Sequence, residues 1–383
     1  MKRLDELYQE CFGWGPAELA CVHLVLGCYL APRWPDQKSP WSLIIGPQSC
    51  GKSTILGMFE GIPYTVSVDK LTRNAFTSCF VDENSPDADY SMLHKLSANT
   101  HPVGEKVWVI QELSSILAMD PIALADHFAN LRTAEVGRHT TQSGMSGTRT
   151  RNVGAFGLLI GTTEAFEPVR SRMTTFGERF LAIRMVRHAD TFDGMLAEAT
   201  RAWSCNARNQ ARLERLIREE THRIVNRGIT NLKKEPPEIS VPPALMERLA
   251  AWTTIHSTFA TAALDNGTPA TAAGKPYRIA KQVRAWGDTH AFLDERTEWN
   301  ESEMDVAQRV FQDSMPRGHW DLLSSIAQPG GAGTTNMTLI RQWAHLGAVE
   351  TVDGSDIEWG RDQRYRLTER YRQLAERSRY FDE

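Results

Sequence analysis

The chain has 383 residues, 41% hydrophobic and 23% charged, with 43 Lys+Arg against 47 Asp+Glu and a formal net charge of −4. That length exceeds one small domain and predicts two or three units able to bury real cores. The charge balance excludes a uniformly basic nucleic-acid coat, so any DNA contact has to come from a local patch. Six cysteines, at 11, 21, 28, 50, 79 and 205, include no short-spaced pair, which argues for a reducing cytosol over a disulfide framework or zinc ribbon. No apolar run reaches the ~18 residues of a membrane span. Acids also stand near the start, where a signal peptide is apolar. The expectation is a soluble cytoplasmic protein with no membrane partner.

In chain order, residues 1–30 carry apolar positions at helical spacing, stopped by Pro32, Pro35 and Pro40. Residues 41–45 are short, apolar and β-branched and read as a buried strand feeding a turn at Gly46-Pro47. A helical pattern runs over 53–60. Further strands are expected at 64–68, 107–110, 155–160 and 180–185. Strands alternating with helical stretches predict a parallel α/β sheet within residues 1–190. From 191 to 315 the pattern is helical, with a basic stretch over 201–234 of nine Lys+Arg against three acids. The proline pairs 236–237 and 242–243 form a break there. Residues 316–383 alternate short helices and strands.

The sharpest signal is Gly46-Pro47-Gln48-Ser49-Cys50-Gly51-Lys52-Ser53, followed by Thr54, which fits G-x-x-x-x-G-K-[ST]. In such a loop backbone N–H groups turn inward around the β-phosphate, and Gly51 permits the backbone conformation this needs. Lys52 supplies a point charge to the β- and γ-phosphates, while the Ser53 hydroxyl ligates Mg²⁺. ATP with Mg²⁺ is therefore the expected ligand. A phosphate loop also needs an acid at a neighbouring strand tip, and residues 107–110 run into Gln111-Glu112. Glu112 stands where a carboxylate polarises attacking water. Gln111 occupies a position where an acid would hold the magnesium shell, and its amide carries no charge. The strand at 155–160 runs into Gly161-Thr162-Thr163, and either threonine offers a hydroxyl to orient water. Arg179, just before the next strand, either stabilises γ-phosphate charge in a neighbouring subunit or forms a structural salt bridge.

Taken together these residues resemble an AAA+ ATPase. The matching stretches are 46–53 (Walker A), 107–112 (Walker B, with Gln111 departing from the usual Asp), 161–163 (sensor 1) and 177–180 (arginine finger, Arg179). The segments over 159–163 and 177–180 look like the replicative-helicase ATPases of phages and mobile elements, including those similar to minichromosome maintenance helicases. The resemblance covers about residues 15–315. It implies a P-loop AAA+ sheet with a helical lid over 191–315, in which Arg278 matches the sensor-2 arginine that opens a lid helix. It further implies a ring, hexameric in this group, that acts on DNA in replication alongside other replication proteins.

Residues 138–151 place Arg138, Arg149 and Arg151 around a glycine-containing turn, which suggests an exposed hairpin or loop. Helicases of the resembled group carry a pore hairpin at this point, where the three arginines would pair with phosphates of a single strand. The 316–383 segment reads as a winged helix, with 335–346 as its recognition-like helix. Its nine Lys+Arg against ten acids leave contact with DNA or with protein open. Arginines 208, 212, 215 and 218 are expected on a solvated helix face. No separate DNA-binding or primase segment is expected ahead of the ATPase. The implied activity is ATP hydrolysis coupled to DNA unwinding or translocation. A helicase loader or remodeller, and a slow nucleotide-gated regulator, are the alternatives.

Overall fold

The computed structural model of the chain describes residues 1–34, 39–68, 106–143, 147–152, 154–167, 179–185, 192–204, 206–232, 236–260, 276–334, 336–357 and 363–381. Two helices, α1 (Lys2–Phe12) and α2 (Pro16–Leu30), precede the first strand, β1 (Trp41–Ile45). The second begins with proline at its first position, where the missing N–H costs nothing. Next come α3 (Lys52–Gly57), β2 (Thr65–Val68) and β3 (Lys106–Ile110). After these come α4 (Ser114–Leu117) and α5 (Pro121–Glu135), the latter capped by Asp120, whose carboxylate accepts from the Ile122 and Ala123 amides. A ribbon of β4 (Arg138–Ser143) and β5 (Gly147–Asn152) leads into β6 (Phe156–Thr162), and β7 (Phe180–Arg184) completes the sheet.

Five strands form one parallel sheet in the order β2-β3-β6-β1-β7. The chain lays β6 between β1 and β3, so three strands that are far apart in sequence end side by side. Their registers pair Ile110 with Ile160 and Ile45 with Thr162. Strands buried on both faces need apolar residues at every position, and β1 and β6 are buried throughout. Period-two alternation divides them between two cores. Ile44, Val107, Val109, Leu159, Leu181 and Ile183 face the larger cluster, while Leu43, Ile45, Trp108, Ile110, Leu158 and Ile160 face the smaller one that α5 covers.

Helices α6 (Phe192–Ser204), α7 (Ala207–Leu232), α8 (Pro243–Phe259), α9 (Tyr277–Leu293) and α10 (Glu301–Asp313) follow. The single basic helical stretch expected over 201–234 is thus broken near 205 into two helices. Its arginines at 208, 212, 215 and 218 are exposed, as a solvated face requires. The larger core joins α1, α2, α7, α8, α9 and α10, and it continues without a gap into the last segment as far as Tyr380.

Inside it runs a polar chain. His290, fully buried, faces Glu303 Oε1 at 2.5 Å through Nδ1 and His23 Nδ1 at 2.8 Å through Nε2, and His23 Nε2 lies 2.9 Å from Asp5. Arg296 closes it with an ion pair to Glu303. Burial drives the His290 pKa down, and the hydrogen bonds from His290 and Arg296 outweigh burial to hold the Glu303 carboxyl at about 2. With His290 neutral and donating to Glu303, its Nε2 accepts from His23.

The last segment consists of α11 (Arg317–Ala327), β8 (Ala332–Gly333), α12 (Met337–His345), β9 (Val349–Thr351), β10 (Arg364–Leu367) and α13 (Glu369–Ser378). Its three short strands form an antiparallel sheet in the order β8-β10-β9. It is fastened to α8 and α10, because Trp252 Nε1 donates to the Ser378 carbonyl at 2.9 Å and Gln312 Nε2 to that of Tyr380 at 2.7 Å. Among the described residues no helix is long and apolar enough to cross a membrane.

Candidate functional site

In an open parallel sheet ligands bind beyond the carboxyl ends of the strands, where the strand order switches direction. Here that point is the end of β1, and the segment 46–53 leaves it directly. Gly46 N donates to the Thr162 carbonyl at 3.1 Å and Met185 N to the Ile45 carbonyl at 2.8 Å. The segment is thereby stitched to the tips of β6 and β7. Its backbone is unusual: Ser49 has φ +60° and Gly51 φ +105°, two left-handed residues within three positions. A Cβ on Gly51 would stand 2.5 Å from Trp14 Cζ2, and one on Gly46 would stand 2.9 Å from Cys50 Sγ. Glycine is required sterically at both places.

Lys52, 5% exposed, folds back over this turn and donates to the Gly46 carbonyl at 2.9 Å and the Pro47 carbonyl at 2.7 Å. A third contact runs from Nζ to Cys50 Sγ at 3.7 Å, so among the described residues the polar partners of this ammonium are neutral groups. Ser53 is exposed and Thr54 half-buried on the first turn of α3. That helix is six residues long, shorter than the 53–60 pattern suggests, since a succession of turns replaces it after Gly57.

The tip of β3 lies two strands along from β1, with β6 between. Gly161 and Gln111 approach so closely that a Cβ on Gly161 would come within 2.6 Å of the Gln111 carbonyl oxygen, and Leu113 N donates to the Gly161 carbonyl at 3.0 Å. The pair Gln111-Glu112 is thus locked against the 161–163 tip. Gln111 turns its amide to Glu60, donating to Oε1 at 3.1 Å, and Glu60 also pairs with Arg218 at 3.8 Å. Glu112 is half-buried beside it. Of the two threonines, Thr162 is wholly buried with its hydroxyl on the Thr163 carbonyl, whereas Thr163 is partly open to solvent. The structure therefore brings 46–54, Gln111, Glu112, Thr162 and Thr163 to one edge of the sheet.

Arg179 and Arg278 lie at the opposite edge. Arg179 immediately precedes β7, whose first residue pairs with Trp41 and whose last pairs with Ile45. Five residues at ~3.3 Å each put it about 16 Å from the end of β1. Its guanidinium is buried in an ion pair with Glu135 of α5, the salt-bridged alternative of the two that the sequence allows. Burial lowers its pKa, Glu135 opposes that shift, and Arg278 and Arg132 add to it. Gln282 of α9 donates to the Arg179 carbonyl at 2.9 Å, so Arg278, one turn earlier on the same helix, shares this edge. Arg179 is thus held well away from the phosphate-loop segment of its own chain.

The 138–151 stretch is an antiparallel ribbon pairing Thr140 with Thr150, whose hydroxyls are 3.1 Å apart. By register, positions 139, 141, 149 and 151 share one face and positions 138, 140, 150 and 152 the other. Arg149 and Arg151 are thus grouped, and Arg138 is set apart from them. Residues 144–146, and 177–178 before Arg179, lie outside the described residues.

Sequence reasoning missed three participants. Trp14 stacks on Tyr8 at 4.9 Å and roofs Gly51, Glu60 engages Gln111, and Glu135 holds Arg179. None belongs to a spaced motif, and the close spacing of Tyr8, Phe12 and Trp14 is the one pattern that could have pointed to any of them. Among the described residues no group of three or more His, Cys, Asp or Glu could hold a metal ion. No family model matches the chain, and no curated protein matches it.

Proposed function

We propose that the chain is an ATP-hydrolysing AAA+ protein, assembled head to tail and acting on DNA. One observation carries this: the G-x-x-x-x-G-K-S turn leaves an interior strand, β1, of a five-stranded parallel sheet, and the Gln111-Glu112 tip of β3 stands two strands along with β6 between them. The residues fit a nucleoside triphosphate with magnesium. Lys52 is a buried cation on neutral acceptors that phosphate oxygens can replace, the turn excludes side chains at Gly46 and Gly51, and Ser53 offers its hydroxyl. Magnesium, when bound, would supply Lewis-acid charge to the triphosphate. Ser53 would hold it, helped by Gln111 only through a neutral amide.

In this reading Glu112 accepts hydrogen bonds from the attacking water and orients it toward the γ-phosphorus. Thr163, the more open of the two threonines, assists. Arg179, about one strand length from its own loop, and Arg278 near it act on the triphosphate of an adjoining subunit. Arg179 does so by exchanging Glu135 for the γ-phosphate. The β4–β5 ribbon presents Arg149 and Arg151 to the phosphates of a single strand, and the 316–383 segment is a winged helix packed on the helical region.

The experiment is Glu112→Gln. Nucleotide binding should survive while hydrolysis falls roughly 10²–10⁴-fold; unchanged turnover would assign the base elsewhere.

A further inference from the structure

Helices α1, α2, α9 and α10 meet around the polar chain Asp5–His23–His290–Glu303, and the hydrogens of that chain can be counted. Three contacts have to be bridged: His23 Nε2 to Asp5 Oδ1 at 2.9 Å, His23 Nδ1 to His290 Nε2 at 2.8 Å, and His290 Nδ1 to Glu303 Oε1 at 2.5 Å. Each takes one hydrogen, because two lone pairs at these separations repel. A neutral imidazole brings one hydrogen and leaves its other ring nitrogen as an acceptor. Two neutral imidazoles between two carboxylates therefore supply two hydrogens for three contacts. The chain is complete only when one ring is an imidazolium.

The surroundings select the ring. Burial drives the His290 pKa down, which keeps that imidazole neutral, and the Glu303 carboxyl, held at about 2, is ionised. The His23 side chain is 14% exposed beside Asp5 at 25%, whereas His290 and Glu303 are sealed at 0%. Trp286 stacks on His290 and donates to the His23 carbonyl at 3.3 Å, closing the inner side. A proton thus enters and leaves at the Asp5–His23 end. The charged groups near this chain on the packed elements are themselves engaged. Arg296 holds Glu303 and Asp294, and the amino terminus lies 3.5 Å from Asp294. Glu18 of α2 accepts from the Gly15 amide, and Arg227 of α7 pairs with Glu295.

We propose that the Asp5–His23 contact is a proton-gated latch on α1: with a third hydrogen in the chain the helix is fastened, and loss of that hydrogen as pH rises sets a His23 lone pair against the Asp5 carboxylate and loosens α1. Imidazole is the side chain whose charge ordinarily changes between about pH 5 and 8, so the latch works in that range. Its sign is opposite to that of Glu303, because the stabilisation is present on the acid side and lost on the alkaline side. The helix it fastens carries Tyr8, whose ring stacks on Trp14 at 4.9 Å, and Trp14 covers Gly51 in the turn after β1. Loosening α1 therefore uncovers that turn. The latch is independent of the ATPase reading, since no nucleotide takes part in it.

The test is amide hydrogen exchange of the full chain without nucleotide at pH 6 and pH 8, read as protection factors for residues 2–12 and, for reference, 243–259. In the parent, protection of 2–12 should fall roughly tenfold at pH 8, with 243–259 unchanged. Asp5→Asn is the deciding variant, because its side-chain amide donates to His23 Nε2 and completes all three contacts with two neutral imidazoles. Its 2–12 protection should be equal at the two pH values and exceed that of the parent at pH 8. In the parent with ¹⁵N-labelled histidine at pH 6, His23 should show two protonated ring nitrogens and His290 one; this measurement decides alone if Asp5→Asn does not fold. Protection of 2–12 that is independent of pH in the parent would overturn the latch. So would a fall shared equally by 243–259, an Asp5→Asn chain that follows the pH dependence of the parent, or a single hydrogen on each ring at pH 6.

Discussion

The two ends of the central sheet are built on opposite principles. At the carboxyl end, backbone does the work. Left-handed residues at Ser49 and Gly51, close approaches at Gly46 and Gly161, and a lysine held on main-chain carbonyls shape this end, with Glu112 and Glu60 kept to the neighbouring β3 tip. At the amino end, side chains do the work, and the charge of Arg179 is already met by Glu135. The first end is ready for an anion. The second must give one up to accept another. Under the proposed ATPase reading, a site assembled from both ends would take two subunits, with Arg179 exchanging Glu135 for a neighbour's triphosphate.

That contrast can be broken most forcefully at Arg179. Replacing it with alanine strands the buried Glu135 carboxylate and should cost about 3–5 kcal/mol of stability in chemical denaturation. Removing Glu135 as well should restore much of that loss. An Arg179→Ala protein as stable as the parent would mean that the pair is not held in the folded chain, and that Arg179 stands ready for a neighbour at no cost.

A second buried ion network, away from both ends, sharpens the point that paired charge in this protein stabilises the fold. The Glu303 carboxyl is held at about 2, below its value of 4.5 in an unfolded chain. The folded state therefore binds its proton less readily. Its contribution is complete above about pH 4.5 and is lost as pH falls toward 2, on the order of 3 kcal/mol. His290 acts in the same direction, because burial lowers its pKa and the unfolded state takes up a proton first on acidification. Denaturation curves at pH 7, 5 and 3 should show this fall, and Glu303→Gln should flatten the acid limb between pH 5 and 3.

The smallest effect concerns the ribbon. Arg149 and Arg151 share a face by register. Replacing both should reduce the slope of log affinity for single-stranded DNA against log salt by about 1.4. Arg138→Ala, on the other face, should change it less. Equal effects from all three would mean that the strand passes around the ribbon and does not lie along one side.

The legible parts of the chain were those governed by local rules. Buried strands at 41–45 and 107–110, the phosphate-loop spacing, and the hairpin between the third and fourth sheet strands all follow from periodicity or turn chemistry acting over a few residues. The order in which strands pair is a long-range outcome. The placement of β6 beside β1 brought Gly161 against Gln111, and no spacing in the sequence records that contact. The partners that tune the site were hidden for the same reason. Glu135 is 44 residues from Arg179 and Glu60 is 51 from Gln111, each reached only through the fold.

The central claim is that the turn after β1 grips a triphosphate through Lys52, and calorimetric titration with ATP and magnesium tests it most directly. The parent chain should release heat at a single site per subunit, and Lys52→Ala, with an unchanged far-ultraviolet circular dichroism spectrum, should release none. A parent chain that gives no heat, or a Lys52→Ala chain that binds as well as the parent, would contradict it.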